Sequence, residues 1–189
     1  ATSTALMILV LTAMGAKVNY LVPDRFKYGY GLTPAIADLA YQQFQPDMMI
    51  TVDNGISSHA GVQQAQQYGM QVIITDHHLT TKATPQAEAV VNPNQLGCPF
   101  ASKALAGVGV AFYVLASLAT HRKQLDKTTV AVSQYLDLVA LGTYADVATL
   151  DYNNRILVDA GIQRIRQGQC RVGILALLDV TKRRASDIQ

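Results

Sequence analysis

The sequence has few cysteines and little excess charge. Its two cysteines, Cys98 and Cys170, lie far apart and outside any Cys-x-x-Cys pattern, which excludes a disulfide framework and the usual zinc-ligand spacing. The formal net charge is only +2, which argues against a strongly basic, histone-like protein, although a near-neutral protein can still carry a local basic patch. We therefore expect a reduced, cytoplasmic setting.

The sequence also lacks an apolar run that would span a membrane. The run at residues 104–119 contains Gly107, Gly109 and Ser117 and is shorter than the roughly 20 residues that a bilayer requires. The run at residues 5–14 has no basic residue before it and no clear small-residue cleavage site after it, unlike a secretory signal. We interpret residues 104–119 as a buried core helix and expect no membrane partner.

Half of the residues are hydrophobic, which is enough for one sizeable packed domain. Up to about residue 100, helix-like and strand-like patterns alternate, which predicts an α/β fold of three α/β/α layers around a mainly parallel sheet. We predict strands at residues 18–22, 48–52, 71–75 and 87–91. We predict helices at residues 2–14, 34–44, 57–68, 104–121, 128–141, 153–167 and 171–180. Residues 1–100 thus form an α/β part, and residues 101–189 form a mostly helical part of the same domain.

Acidic and imidazole side chains follow two of the predicted strands. Asp76, His77 and His78 come directly after the strand at 71–75, and Asp53 follows the strand at 48–52. Open α/β sheets keep their sites in the crevice at the carboxyl ends of strands. Together with Asp146, these residues could form a two-metal phosphoesterase site, in which metals about 4 Å apart activate water and neutralise phosphate charge. The mixed carboxylate and imidazole set suits Mn²⁺ or Mg²⁺, and manganese tolerates nitrogen better.

Each of these residues also has an ordinary structural interpretation. Taken alone, Asp53 before Asn54 and Gly55 is best explained as a turn former. Asp146 could equally be a helix N-cap, and the histidine pair could lie in a solvated loop. The joint arrangement is what favours a metal site.

Residues 52–56, 75–78 and 142–147 resemble the second, third and fourth motifs of the DHH phosphoesterase superfamily. Residues 23–32 and 105–112 are similar to the corresponding segments of one family within it, the RecJ exonucleases. The resemblance implies metal-dependent, 5′ to 3′ hydrolysis of single-stranded DNA in bacterial DNA repair and recombination. It further implies Mn²⁺ or Mg²⁺ as cofactor, a cytoplasmic location, and a single-strand-binding protein and a helicase as partners beside single-stranded DNA.

The resemblance also implies a role for each matched residue. Asp53 would bridge two metals, and His77 and Asp146 would complete the shell of one of them. His78 would contact the scissile phosphate, and Asp76 would orient the site.

Residues 24–31 mix positive charge with aromatic rings, a combination that suits phosphate attraction and base stacking. We expect nucleic-acid contacts from Arg25 here, and from His78, Ser102 and Arg155 elsewhere. For Phe26 and Tyr30 we favour packing against the sheet edge.

The sequence departs from the family pattern in what it lacks. The family's first motif, Asp-x-Asp-x-Asp-Gly, should lie immediately before Ala1, and neither a DHHA1-type nor an OB domain is found in the sequence. We therefore expect a catalytic-core fragment with an incomplete two-metal site and impaired catalysis. Two alternatives stay open: a DHH phosphodiesterase acting on short oligonucleotides or cyclic dinucleotides, and a non-catalytic nucleic-acid-binding module.

Overall fold

The structure is a computed structural model that describes residues 1–80, 83–125 and 127–188. Its helices and strands follow in chain order. They are α1 (Thr2–Ala13), α2 (Arg25–Tyr28), α3 (Pro34–Phe44), β1 (Met48–Val52), α4 (His59–Gln67), β2 (Gln71–Thr75), β3 (Ala89–Val91), α5 (Gly107–Gln124), α6 (Leu136–Ala145), α7 (Tyr152–Arg166) and α8 (Val172–Val180). Short 3₁₀ turns occupy Val132–Tyr135 and Ala185–Asp187.

Contacts between Cα atoms divide the chain into two compact units. The sheet unit comprises Lys17–Lys103, and the helical unit comprises Ala1–Ala16 together with Ala104–Gln189. The sequence pattern changes near residue 100, close to the junction at residue 103, but the first helix belongs to the unit of the later helices. In the described part of the chain, no helix combines the length and the apolar composition needed to cross a bilayer.

The sheet unit contains three parallel strands in the order β1-β2-β3, so the predicted α/β class and parallel sheet are confirmed. The strand predicted at residues 18–22 is wrong, because the structure assigns that segment no strand. Tyr20 and Val22 are exposed there, and Leu21 is only partly buried against the core, so the segment lacks the fully buried alternate side chains that hold a strand in a sheet.

Helices α3 and α4 pack on each other and bury the apolar face of β2. Thr33 caps α3 by accepting a hydrogen bond from the Ile36 N–H, and Pro34 stands at its first position, as the sequence predicts. Gly61 allows α4 to pack closely against the backbone at Leu32, since a Cβ atom at position 61 would lie 1.9 Å from the carbonyl oxygen of Leu32. The core between these elements consists of Leu32, Ile36, Ala37, Val62, Ala65, Met70, Val72 and Ile74.

In the helical unit, α1 packs on α5 and α6, and α6 packs on α7. The helix predicted at residues 128–141 begins only at Leu136, after the 3₁₀ turn at Val132–Tyr135. The N–H of Arg171 donates to the fully buried carboxylate of Asp137 at 2.6 Å, which ties the start of α8 to the start of α6. The predicted helices at residues 153–167 and 171–180 are confirmed with boundaries shifted by one residue.

Candidate metal centre

The loops that follow the three strands lie at one edge of the sheet. Val52 pairs with Thr75, and Thr75 pairs with Val91, so the next residue of each strand emerges beside its neighbour. The Asp53 N–H donates to the carbonyl oxygen of Thr75 at 2.9 Å, and the Asp76 N–H donates to that of Val91 at 3.0 Å. Asp53 and Asp76 therefore emerge side by side at one edge of the sheet.

Asp53 lies in a tight turn with left-handed backbone geometry. Its φ of 64° is uncommon for a residue with a side chain, although aspartate tolerates it better than most. Asn54 supports the turn, because its side-chain amide donates to the carbonyl oxygen of Val52 at 2.9 Å. Gly55 completes it with a φ of 117°, where a Cβ atom would lie 2.6 Å from Thr51 Oγ1. The turn interpretation of Asp53 is correct, and the turn also aims the carboxylate at a histidine.

That histidine is His77, whose Nε2 lies 3.0 Å from Asp53 Oδ1. His78 completes the group: one ligand atom from each of the three side chains lies within 4.8 Å of the others. The two imidazole rings are 4.5 Å apart between centroids and inclined at 55°. His77 is largely buried, whereas 43% of the Asp53 side chain is exposed, so the group opens toward solvent on the Asp53 side.

Asp76 supports this group from beneath and has only 1% of its surface exposed. Its Oδ1 accepts hydrogen bonds from the backbone N–H groups of His77 and His78, at 2.7 and 3.1 Å. The same oxygen lies 2.6 Å from His78 Nδ1, and Oδ2 accepts from the Ile56 N–H at 2.9 Å. Burial raises the pKa of Asp76, but the hydrogen bonds from His78, Ile56 and His77 outweigh it and hold the pKa below its ordinary value.

The contact with Asp76 settles which ring nitrogen of His78 faces outward. A carboxylate accepts hydrogen bonds, so Nδ1 carries the hydrogen and donates it to Asp76. The other ring nitrogen, Nε2, is left for other partners. Nε2 lies 3.4 Å from the hydroxyl oxygen of Tyr30, and nearly half of the side chain is exposed. Carboxylate support of this kind orients histidines that face a metal or a substrate.

Asp146 belongs to the helical unit, where it ends α6 as the C-terminal capping residue. The N-cap interpretation of Asp146 is therefore wrong, since the helix precedes this residue. Asp146 is exposed, and its N–H donates to the carbonyl oxygen of Gly142 at 3.0 Å. Val147 follows with a φ of 53°, which is a strained conformation for a β-branched residue. Strain of this kind concentrates at functional sites.

The residues expected to contact nucleic acid differ in exposure. Arg25 is exposed on α2, and its guanidinium carbon lies 6.0 Å from the centre of the Tyr30 ring. Phe26 is 96% exposed, so the packing interpretation is wrong for this residue. Ser102 is 5% exposed. Arg155, in the helical unit, donates from Nε to the carbonyl oxygen of Leu150 at 2.8 Å.

Two asparagines that sequence reasoning left without a role contact the histidine pair. The Asn92 amide donates to the carbonyl oxygen of His78 at 2.9 Å, and the Asn94 amide donates to that of His77 at 2.6 Å. Their position directly after β3 is the signal that could have found them, because neighbouring parallel strands end at one edge.

The donor chemistry of the group fits a divalent transition metal. It offers one carboxylate and two imidazoles within one coordination distance of each other, a mixed oxygen and nitrogen set that suits Mn²⁺ better than Ca²⁺ or Mg²⁺. Of the five residues predicted as catalytic, the structure brings Asp53, Asp76, His77 and His78 together. Asp146 lies in the other unit.

The chain is similar to known proteins in both sequence and structure. The chain is 51% identical to the single-stranded-DNA-specific exonuclease RecJ of Escherichia coli over 195 residues, covering 100% of this chain and 34% of that protein. It therefore spans about a third of the length of this curated relative.

Two solved structures are similar as well. One is a crystal structure of exonuclease RecJ bound to manganese, with a TM-score of 0.74 and 36% identity over 88% of this chain and 40% of that one. The other is RecJ of Thermus thermophilus in complex with Mn²⁺, with a TM-score of 0.75 and 31% identity over 97% of this chain and 25% of that one. The model of the DHH family, N-terminal domain, matches residues 1–143, and the chain belongs to the DHH family.

Proposed function

We propose that this chain carries the metal-binding part of a RecJ-type exonuclease that degrades single-stranded DNA from the 5′ end in the bacterial cytoplasm. The observation that carries the proposal is the group of Asp53, His77 and His78 at the carboxyl ends of β1 and β2. The similarity to a single-stranded-DNA-specific exonuclease over the whole chain supports the substrate class. The parent activity would serve DNA repair and recombination, with a single-strand-binding protein and a helicase as partners.

In this proposal, Asp53 and His77 hold Mn²⁺ or Mg²⁺. The Asp53 Oδ1 and His77 Nε2 atoms, 3.0 Å apart, are close enough to ligate one ion. Asp53 has a second carboxylate oxygen with which it would bridge to another ion. A divalent ion bound here supplies Lewis acidity toward water and neutralises charge on the phosphate.

His78 and Asp76 act on the phosphodiester side of the site. Asp76 holds His78 through Nδ1, so Nε2 points away from the core. His78 would contact the scissile phosphate through Nε2. Asp76 is too deeply buried to meet DNA itself, so its role is to orient the imidazole.

Contacts with the DNA strand come from the exposed basic and aromatic residues. Arg25 would bind phosphate, and the exposed Phe26 ring would stack on a base. Arg155 would bind phosphate as well. The burial of Ser102 limits it to an indirect contribution.

A graft tests the proposal. This chain replaces the matching segment of the E. coli relative, and the hybrid is incubated with Mn²⁺ and 5′-phosphorylated single-stranded DNA. Asp53→Asn and His77→Ala should each lower the cleavage rate by at least about a hundredfold, as expected when a metal ligand or its support is lost. His121→Ala, which removes an exposed histidine from α5, is the matched control and should leave the rate unchanged.

The same experiment separates the alternatives. Full activity of the His77→Ala hybrid would remove this histidine from the metal site. A hybrid that cleaves cyclic dinucleotides or short oligonucleotides but leaves long single strands intact would support a small-substrate phosphodiesterase. A hybrid that binds single-stranded DNA without cleaving it would support a non-catalytic module.

A further inference from the structure

We propose that Asn92 and Asn94 are positioning residues for the two imidazoles, acting through the backbone of His77 and His78. The proposal rests on the proposed function, because it concerns the aim of side chains assigned there to metal and phosphate. The two asparagines follow β3, so the proposal assigns a role in the centre to the loop after the third strand as well as to the loops after β1 and β2.

The geometry places each amide on a different histidine. Asn94 Nδ2 lies 2.6 Å from the carbonyl oxygen of His77, and Asn92 Nδ2 lies 2.9 Å from that of His78. The two asparagines are also bonded to each other, since Asn92 Oδ1 accepts from the Asn94 N–H at 2.8 Å. The pair therefore forms a rigid two-pronged support for consecutive carbonyl groups.

Asp76 supports the same two residues from the opposite side of the peptide groups. It accepts from the N–H groups of His77 and His78, while the asparagines donate to their carbonyl groups. Both donors and both acceptors of this dipeptide are therefore held by side chains and not by a regular strand. Because the Cβ direction follows from the backbone, this support fixes the direction in which each imidazole leaves the chain.

Burial argues for a positioning role over direct contact with a ligand. Asn92 is 1% exposed, so it cannot reach DNA, and its amide is already bonded to His78 and Asn94. A buried amide whose donor and acceptor are both used is costly to disturb, since its loss leaves partners unsatisfied. Supporting residues of this kind, when mutated, typically weaken metal binding by about 10–100-fold.

The competing explanation is that the asparagines merely build the turn after β3. Gln95 provides the matched control, because it lies in the same turn and its amide donates to the carbonyl oxygen of Val90 at 3.0 Å, away from both histidines. Loss of the Gln95 amide should therefore weaken the turn without moving the imidazoles. Asn94→Ala removes the hydrogen bond to the His77 carbonyl oxygen. It keeps the backbone N–H of residue 94, which donates to Asn92 Oδ1.

The experiment compares the 189-residue chain with its Asn94→Ala and Gln95→Ala variants. Mn²⁺ affinity is measured by the loss of the free-ion electron paramagnetic resonance signal. The nitrogen couplings of bound Mn²⁺ are measured by pulsed methods, which report ligating imidazoles. Asn94→Ala should weaken Mn²⁺ binding about 10–100-fold and reduce the imidazole coupling, whereas Gln95→Ala should retain both. Equal affinity and equal couplings in the two variants would overturn the proposal.

A crystal structure of Asn94→Ala supplies a readout that requires no metal. It should show the contact between His77 Nε2 and Asp53 Oδ1, 3.0 Å in the native chain, lengthened to the point of breaking, and an unchanged contact would overturn the proposal. If the native chain binds no Mn²⁺, the assigned metal role fails, and this distance still decides whether the asparagines position the imidazoles. Asn92→Asp, which preserves shape and the acceptor for Asn94 but loses the donor to His78, should displace the His78 ring in the same way.

Discussion

The loops after β1 and β2 each begin with an aspartate, yet the two carboxylates differ in almost every physical respect. Asp76, after β2, is 1% exposed and accepts hydrogen bonds through both oxygens. Asp53, after β1, has 43% of its side chain exposed, stands at a φ of 64°, and faces His77. The adjacent strand ends thus hold one carboxylate whose two oxygens accept hydrogen bonds within the protein, and another that faces His77 and is partly exposed to solvent.

The difference separates Asp76 from Asp53 as a candidate metal ligand. The hydrogen bonds to Asp76 come from three backbone N–H groups and one imidazole, which leaves little lone-pair capacity for an ion. Asp53 instead carries backbone strain, which a protein retains only where the surrounding structure enforces it. In the proposed metal centre, the loop after β2 would organise the site, and the loop after β1 would supply its carboxylate ligand.

The largest expected effect comes from substituting the two aspartates separately. Asp76→Ala should lower the free energy of unfolding by about 3–5 kcal/mol, because buried N–H groups and an imidazole lose their acceptor. Asp53→Asn should stay within about 1 kcal/mol of the native chain, since asparagine also tolerates left-handed geometry, while Mn²⁺ binding is lost. Urea denaturation and Mn²⁺ titration of both variants measure this. Similar losses of stability in the two variants would erase the distinction between the loops.

A medium effect is expected from Gly55→Ala in the loop after β1. The substitution combines an unfavourable φ of 117° with a Cβ atom 2.6 Å from Thr51 Oγ1, and it should cost about 1–3 kcal/mol. Gly69→Ala is the matched control, because Gly69 also has a positive φ, 77°, but open space around it. Thermal unfolding should rank Gly55→Ala as the more destabilised variant, and it alone should weaken Mn²⁺ binding. The reverse ranking would show that Asp53 does not depend on the packing of this turn.

Much of this contrast could be predicted from the sequence where the signal is local. The apolar runs at residues 48–52 and 71–75 predict β1 and β2, and their carboxyl ends carry Asp53 and Asp76. The Asn54-Gly55 pair predicts the turn that aims Asp53. The burial of Asp76 could not be predicted, because whether an acid is covered depends on which residues pack over it. Here Ile56, from the loop after β1, bonds Oδ2, and His78, from the loop after β2, bonds Oδ1.

Other features needed the three-dimensional pairing of strands. Asn92 follows a strand of only three residues, and its contact with His78 exists because β3 pairs with β2 and not with β1. Residues 18–22 have the pattern of a strand, yet their exposed side chains leave them outside the sheet. The position of Asp146 depends on where α6 ends, and the helix continues to Ala145, beyond the predicted end at residue 141.

The smallest expected effect is a change in the acid sensitivity of folding. The pKa of Asp76 is held below that of an aspartate in the unfolded chain, which is about 3.9. The folded state therefore binds fewer protons, so this group stabilises the fold above about pH 4 and loses its contribution as the pH falls toward the folded-state pKa. Asp76→Asn carries no titrating group at this position, so its stability should fall less steeply between about pH 5 and 3.

The comparison with Asp76→Asn makes this measurement specific to Asp76, because Glu88 and Asp187, whose pKa values are also lowered, are present in both chains. The pKa of Asp187 is also lowered, by the Arg184 guanidinium, but both side chains lie at the surface. Salt at about 1 M reduces the screening length to roughly 3 Å and suppresses the contribution of that exposed pair, while buried hydrogen bonds to Asp76 are screened much less. The difference in slope between the native chain and Asp76→Asn should therefore persist in salt. Superimposable slopes in salt would mean that the hydrogen bonds to Asp76 do not favour its ionised form, and that the loop after β2 is held by packing alone.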